Sequence, residues 1–392
     1  MNGCRSSLYC ILPPYMFREI VENGTADQRQ QALRNLVSVE ATLVQRDVIA
    51  KEGPWEPLME AMSTEVNRTI YTADNSSSLP GRQLRSEGGP PTGDPAADEA
   101  YDGAGATHAL FSEIFDRNSI DGNGMRLDST VHYRTGYDNA FWNGRQMIYG
   151  DGDEDLPEAQ RLFNRFTIAV DIIGHELTHG VTQHTANLIY QGQAGALNES
   201  MSDVFGSLVK QRLLGHSAAD ADWIIGEGLF TSNVNGAGIR SMKAPGTAYN
   251  DPVLGKDPQP GHMRDYVQTT SDNGGVHINS GIPNHAFHVT AVNLGGFAWE
   301  KAGQIWYLTL KSKLSESADF AMAAAKTYEA AGELYGLGSL EQQAVRAGWA
   351  EVGITIQQGG PDPGDGDPGD GGGRPGCAGS LTGLFRSLFG LR

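Results

Sequence analysis

Basic side chains are scarce in this 392-residue chain, in which 29 Lys and Arg against 47 Asp and Glu leave a net charge of −18. That balance opposes phosphate backbones over most of the surface, and no local basic cluster offsets it, so nucleic acid is excluded as a partner. Long apolar runs are missing as well. No stretch of about 18 apolar residues is present to span a membrane, and a membrane partner is not expected. The N-terminus, MNGCRSSLYCILPPYMFREI, lacks a continuous apolar stretch before a small-residue cleavage site. The expectation is a cytoplasmic precursor without a signal peptide, exported, if at all, by a non-classical route. Cysteine is the third scarcity: Cys4, Cys10 and Cys377 are the only ones. The long stretch between Cys10 and Cys377 therefore folds without an internal disulfide, which fits a reducing compartment. What the chain does have is length and apolar content. At roughly 100–200 residues per domain, two packed domains plus tails are expected, and a hydrophobic fraction of 39% supplies a sizeable core.

The first fifty residues read as a separate small unit. A strand-like piece, Leu8 to Leu12, runs into Pro13 and Pro14. A helix capped by Thr25 or Asp27 follows, with Leu33, Leu36, Val37, Leu43 and Val44 at helical spacing, ending near Asp47. Turn signals fill Asn75 to Asp94. Ser129 to Tyr133 and Gln146 to Tyr149 alternate like strands, with Asp121-Gly122 and Asn143-Gly144 as turns. From Arg161 onward the pattern is helical, with apolar stripes through Phe166 to Val181, Leu197 to Leu214, Ile282 to Leu294 and Ala302 to Leu314. A strand-rich lobe thus precedes a helix-rich one, an α+β arrangement with a seam between lobes. Residues 359–376 contain only Gly, Pro, Asp and one Arg and cannot pack a core. Beyond them Leu381, Leu384, Phe385, Leu388 and Phe389 follow helical spacing beside Arg386 and Arg392. This short tail either docks on its own protein or serves as a partner-docking segment.

The chemistry concentrates in HELTH at 175–179. His175 and His179, four apart on a helix, project from one face toward a single ion, with Glu176 about 100° round the axis. Glu199, in NESMSD at 198–203, lies on the next apolar-striped helix and can be a third ligand. Two neutral imidazoles and one carboxylate leave a fourth tetrahedral position open, the catalytic form of a zinc site. Glu176 stands beside the ligands without being one and is placed to take a proton from water and return it to a leaving amine. Asp203, one turn beyond Glu199, can hold the N–H of a metal-binding histidine. Tyr190 and His277 are candidate donors to a developing oxyanion, with Asp272 five residues before His277 across two glycines.

Taken together, NAFWNG at 139–144, HELTHGVTQHTANLIY at 175–190, NESMSD, IRSM at 239–242 and DNGGVHINSG at 272–281 resemble the thermolysin family of zinc endopeptidases in order and spacing, from about residue 67 to 356. The resemblance implies a two-lobed zincin in which a β-rich N-terminal lobe (53–186, ending in the zinc helix) and an α-helical lobe (187–356) flank the active-site cleft. It implies zinc on His175, His179 and Glu199, Glu176 as general base and acid, Asp203 behind His175, and Tyr190 and His277 as oxyanion donors with Asp272 behind His277. Asn139, Ala140 and Arg240 match positions that hold an extended substrate backbone. Phe163, Phe166, Ile172, Ile225 and Ile239 resemble the pocket for the side chain after the scissile bond. The implied activity is cleavage of internal bonds before bulky hydrophobic residues, whose burial contributes about 1.5–3 kcal/mol.

One departure concerns calcium. In thermolysin itself the helix carrying the third ligand bears an extra Glu that helps build a double calcium site; here the position is Lys210, and Ile224 replaces another carboxylate. Asp171, Asp222 and Glu227 remain, and Lys210 is expected to neutralise them in place of a cation. Residues 1–52, with CILPPY at 10–15, are similar to the short propeptide of the protealysin branch, which implies a zymogen with its own propeptide as a partner. Cys10 is either a thiolate cap on the open zinc position or a small buried hydrophobe. Residues 357–376 are the linker and 377–392 the tail. The competing reading is a catalytically silent zincin presented as a binding module by its C-terminal tether.

Overall fold

Pro13 and Pro14 break the first strand and start the first helix, because a fixed φ and a missing N–H suit the first helical position. The computed structural model describes residues 9–37 and 65–356. Its first elements are β1 (Tyr9–Cys10), α1 (Pro14–Asn23) and a helix, α2, over 26–37. The rest of the expected propeptide helix, the linker and the C-terminal tail lie outside the described residues. Then come β2 (Arg68–Thr72), β3 (Arg82–Ser86), α3 (Pro95–Ala109), β4 (Leu127–Val131), β5 (Ala140–Trp142) and β6 (Met147–Tyr149). Helices α4 (Val170–Gln183) and α5 (Gly192–Leu214) follow. Between α5 and the next helix lie the two-residue strands β7 (Ile224–Ile225), β8 (Arg240–Ser241), β9 (Asn250–Asp251) and β10 (Gly255–Lys256). Helices α6 (Asp272–Asn279), α7 (Gly281–Leu294), α8 (Ala302–Ser312), α9 (Phe320–Tyr335) and α10 (Leu340–Glu351) complete the described chain.

The six-stranded sheet has the order β1-β5-β6-β4-β2-β3. Strand β4 is parallel to β2 and β6, and the other pairs are antiparallel. A β-containing first part and a helical second part are as expected. Two helices depart from expectation. Helix α1, over Pro14–Asn23, is additional to the expected helix, which is α2 and does begin just after Thr25, whose Oγ1 accepts from the Gln28 N–H. Helix α3 falls where no helix is expected, although Asp94 caps it by accepting from the Ala96 N–H and Pro95 opens it. Its buried face is mostly small, Ala96, Ala97, Ala100, Gly103 and Ala104, with Tyr101, Thr107 and His108 beside them, so it carries no stripe of large apolar side chains to read.

What places the site is the approach of α4 to α5. A Cβ on Gly206 would lie 2.4 Å from the Asp171 carbonyl oxygen, and one on Gly174 would lie 3.0 Å from Gly206 Cα. The two helices therefore meet backbone to backbone, which only glycine permits. On its other side α4 carries the sheet: a Cβ on Gly180 would lie 3.2 Å from the Trp142 ring of β5.

In the β-rich part, His132 joins three elements. Its Nδ1 lies 2.8 Å from Asp151 and its Nε2 2.8 Å from Asp94, the cap of α3. The Asp151 hydrogen bond, then that of Asp94, outweigh the opposing effect of burial and raise the His132 pKa to about 9. A folded pKa above the unfolded 6.5 stabilises the protein fully below pH 6.5, and that contribution disappears as pH rises through about 9. His132→Gln should cost on the order of 2–3 kcal/mol at pH 6 and much less at pH 10. Urea unfolding of both proteins at the two pH values measures this; an equal loss at both would contradict it.

Candidate metal centre and cleft

Helical spacing brings His175 and His179 to the same face of α4, and the glycine contact brings α5 close enough for Glu199 to join them. His175 Nε2 and His179 Nε2 are 3.0 Å apart. Glu199 Oε2 is 3.5 Å from the first and Oε1 3.4 Å from the second. Among the described residues these three form the group of side chains whose ligand atoms all lie within 4.8 Å of one another, and all three are buried. The outer nitrogens fix the tautomers. His175 Nδ1 lies 2.8 Å from Asp203 Oδ1. His179 Nδ1 lies 2.9 Å from Asn198 Oδ1, whose own amide donates to the Leu188 carbonyl. Both protons therefore sit on Nδ1, and two Nε2 lone pairs face each other beside a carboxylate. Glu199 Oε2 is buried without a hydrogen-bond donor. Such a cluster is repulsive until a cation enters it, and two imidazoles with a carboxylate are a zinc donor set.

Behind the ligands, Asp203 makes more contacts than the sequence suggested. Arg240 Nε and Nη2 each donate to it at 2.8 Å, and Asn284 Nδ2 donates at 2.8 Å. Burial acts to raise its pKa, but Arg240 and His175 outweigh that and hold the carboxyl well below the usual carboxylate range. Asn198, Ser202 (Oγ 3.0 Å from His179 Nδ1) and Asn284 are additions that sequence reading missed. Asn198 and Ser202 flank Glu199 at −1 and +3, so the helical period could have flagged them.

Glu176 is fully buried and its Oε2 accepts from the Trp142 N–H at 3.0 Å, which ties it to β5. Tyr190 donates to Glu199 and lies 3.1 Å from His277 Nε2. His277 Nδ1 is 2.6 Å from Asp272 Oδ1. Burial would lower the His277 pKa, but Asp272 and then Glu199 raise it to about 9. This pairing needs an unusual backbone: Asp272, Asn273, Gly274 and Gly275 all have φ between 49° and 84°, where glycine has no Cβ penalty.

The five residues expected to line an apolar pocket lie in the core. Phe163, Phe166, Ile172, Ile225 and Ile239 are all buried. The Phe163 and Phe166 rings are 6.1 Å apart, and a Cβ on Gly226 would lie 3.0 Å from Ile239 and 3.5 Å from Ile172. The Ile239 N–H donates to Ile225 O.

Residues 10–12 occupy the edge of β5. Strand β1 pairs antiparallel with it, Cys10 opposite Phe141. Ile11 N–H donates to Ala140 O at 3.2 Å, and Leu12 N–H donates to Asn139 Oδ1 at 3.0 Å. Asn139 Nδ2 donates to Leu12 O and Arg240 Nη1 to Ile11 O, each at 3.2 Å. Cys10 O lies 3.0 Å from His277 Nε2. Of the two readings of Cys10, the thiolate cap is corrected and the buried hydrophobe holds, with the Cys10 carbonyl, not its thiol, turned to His277. Cys10 Sγ does not belong to the ligand group. Paired residues share a sheet face, so the Cys10 side chain joins Phe141, Tyr133, Tyr137 and Ile148 rather than the ligands on α4.

The description "Thermolysin metallopeptidase, catalytic domain" matches residues 59–183, and "Thermolysin metallopeptidase, alpha-helical domain" matches residues 186–354. The chain belongs to the thermolysin metallopeptidase family. It is 48% identical over 349 residues to an extracellular metalloprotease of Pectobacterium carotovorum subsp. carotovorum, covering 89% of this chain and 97% of that protein. Protease PrtS of a Photorhabdus species is 45% identical over 351 residues, covering 89% and 92%. The precursor of protealysin, a metalloproteinase from Serratia proteamaculans, superposes with a TM-score of 0.79 at 51% identity, covering 88% of this chain and all of that one. This thermolysin-family chain is a zinc metalloendopeptidase.

Lys210 occupies the place where calcium ligands were expected to be depleted. Its Nζ is 2.5 Å from Asp222, 2.9 Å from Glu227 and 3.7 Å from Asp171. Burial raises the Asp171 pKa to about 6 even with Lys210 beside it.

Because Asp203 fixes the His175 tautomer, Asp203→Asn should weaken zinc binding about 10–100-fold, the usual cost of losing such a partner. Competition with a chromophoric chelator reads this, with circular dichroism confirming the fold. Unchanged zinc affinity would contradict it.

Proposed function

We propose that this peptidase hydrolyses internal bonds on the N-terminal side of bulky hydrophobic residues, and that it is made as a latent precursor. Zinc, held by His175, His179 and Glu199, supplies a Lewis acid that lowers the pKa of water to about 7. The rest is the work of the chain. Glu176, buried and oriented by the Trp142 N–H, takes a proton from the attacking water and returns it to the leaving amine. Tyr190 O–H and the charged His277 imidazole, the latter held by Asp272, donate to the oxygen of the attacked carbonyl. Asn139, Ala140 and Arg240 hold the substrate backbone as an added strand on β5. Phe163, Phe166, Ile172, Ile225 and Ile239 receive the side chain that follows the bond.

The observation that carries this reading is the buried cluster of two imidazole Nε2 atoms and the Glu199 carboxylate, with Glu176 one residue from His175. Latency is supported by residues 10–12, which take up the hydrogen-bonding groups a substrate backbone needs. Helix α1 adds anchorage through buried Met16, Phe17 and Ile20, and α2 through Gln31 and Asn35, which donate to Asp138. The buried ammonium of Lys210 among Asp171, Asp222 and Glu227 supports a mature enzyme that does without a calcium pair.

Glu176→Ala should reduce cleavage of unfolded casein by about 10²–10⁴-fold, the usual share of general acid–base catalysis, with zinc still bound. Mass spectrometry of the wild-type products should place Leu, Ile or Phe immediately after the cut. Casein cleavage at the wild-type rate by the variant would overturn the assignment. A calcium-selective chelator should shift the midpoint of thermal unfolding by less than about 2 °C, since roughly 1 kcal/mol moves the midpoint of a domain this large by 2–4 °C. A fall of ten degrees would contradict the lysine replacement.

A further inference from the structure

Inhibitory segments can block a peptidase cleft while keeping their own peptide bonds away from the reacting groups, by running backwards or by bulging over the metal. Residues 10–12 run along the edge of β5 without a bulge. Strand β1 is antiparallel to β5, and every backbone polar atom from Cys10 O to Leu12 O is met by a group assigned above to substrate, namely His277, Ala140, Arg240 and Asn139. The register leaves one bond at the chemistry. The carbonyl held by His277 is that of Cys10, and His277 Nε2 is itself 3.6 Å from the ligand Glu199 and 3.1 Å from Tyr190. The next side chain, Ile11, is fully buried, and it is an apolar residue of the kind the Ile172–Ile225–Ile239 pocket accepts.

We propose, resting on the peptidase reading above, that Cys10–Ile11 is a self-cleavage site, cut by the enzyme within its own chain. The oxygen of water bonds to the Cys10 carbonyl carbon and the bond from that carbon to the Ile11 nitrogen breaks. Glu176 carries one proton of the water to that nitrogen and the second follows as the acid ionises, leaving a carboxylate on Cys10 and an ammonium on Ile11. The cut precedes loss of the propeptide rather than causing it. Residues from Ile11 onward stay anchored by the buried side chains of α1 and by the bonds of Gln31 and Asn35 to Asp138 and Asp153.

The test uses the full chain, purified with chelator and then given Zn²⁺, with casein present and intact mass followed over time. The expected result is a species beginning at Ile11 and a fragment ending at Cys10. Its rate should not change on tenfold dilution, and Glu176→Ala should not form it. Casein degradation without any chain beginning at Ile11 overturns the self-cleavage site while leaving the peptidase reading intact. If neither casein nor the N-terminus is cut, the self-cleavage site is overturned, and the peptidase reading is overturned with it only if casein also survives once residues 1–52 have been removed by an immobilised protease that is then taken away. A rate that falls in proportion to dilution overturns cleavage within the same chain. Seating is read separately by hydrogen exchange in the uncut Glu176→Ala chain with Zn²⁺. The Ile11 and Leu12 amides should exchange at least 100-fold more slowly than in an unfolded chain, and exchange at the unfolded rate overturns the register.

Discussion

The whole arrangement depends on a repulsion. Two imidazole lone pairs and a carboxylate are pressed to within 3.0–3.5 Å of one another in a site with no exposed surface. Buried charge and unshared lone pairs are costly unless paired, so the protein can hold this cluster only because a cation offsets it and because the surroundings permit no retreat. The surroundings are α4 and α5, locked backbone to backbone at Gly174 and Gly206. A bulkier residue at Gly206 would press on the Asp171 carbonyl and on the His175 backbone, whose N would lie 3.0 Å from the added Cβ, and would force the helix of Glu199 away from the histidines.

The second consequence is that metal binding and peptide binding share one ion pair. Arg240 grips Asp203 with two hydrogen bonds and still has Nη1 left for a peptide carbonyl, while Asp203 holds His175. Removing either partner would strand a buried charge, at a cost of about 3–5 kcal/mol. The arginine that positions the backbone of a bound chain is thus also what keeps the carboxylate behind the metal ionised. The same economy appears at His277, which Asp272 keeps charged and which faces both a ligand and a bound carbonyl.

The site was legible in the sequence to the extent that it obeys helical period. His175, Glu176 and His179 lie within one turn and a step, and Glu199 and Asp203 repeat that spacing on α5, so their convergence could be read without coordinates. The strand-rich to helix-rich order was legible for the same reason, since the stripes of α4, α5, α7 and α8 use large apolar residues. Helix α3 was hidden because alanine and glycine bury it, and β7 to β10 because two residues make no period. Cys10 shows a different limit. Its place in the cleft could be anticipated, but which of its atoms faces the catalytic groups depends on strand register, and pairing with Phe141 turns the thiol into the sheet's apolar cluster and the carbonyl toward His277. Asn198 and Ser202, four apart on α5, could have been flagged by helical period, whereas Asn284 acts through one hydrogen bond from a distant helix and leaves no local pattern.

The most direct measurement is the metal content of the purified chain by inductively coupled plasma mass spectrometry, joined to X-ray absorption at the zinc edge. The account predicts one zinc per chain with imidazole nitrogens at about 2.0–2.1 Å, and loss of that zinc in His179→Ala. Protein that folds with its two Nε2 atoms in contact and contains no stoichiometric metal would contradict it.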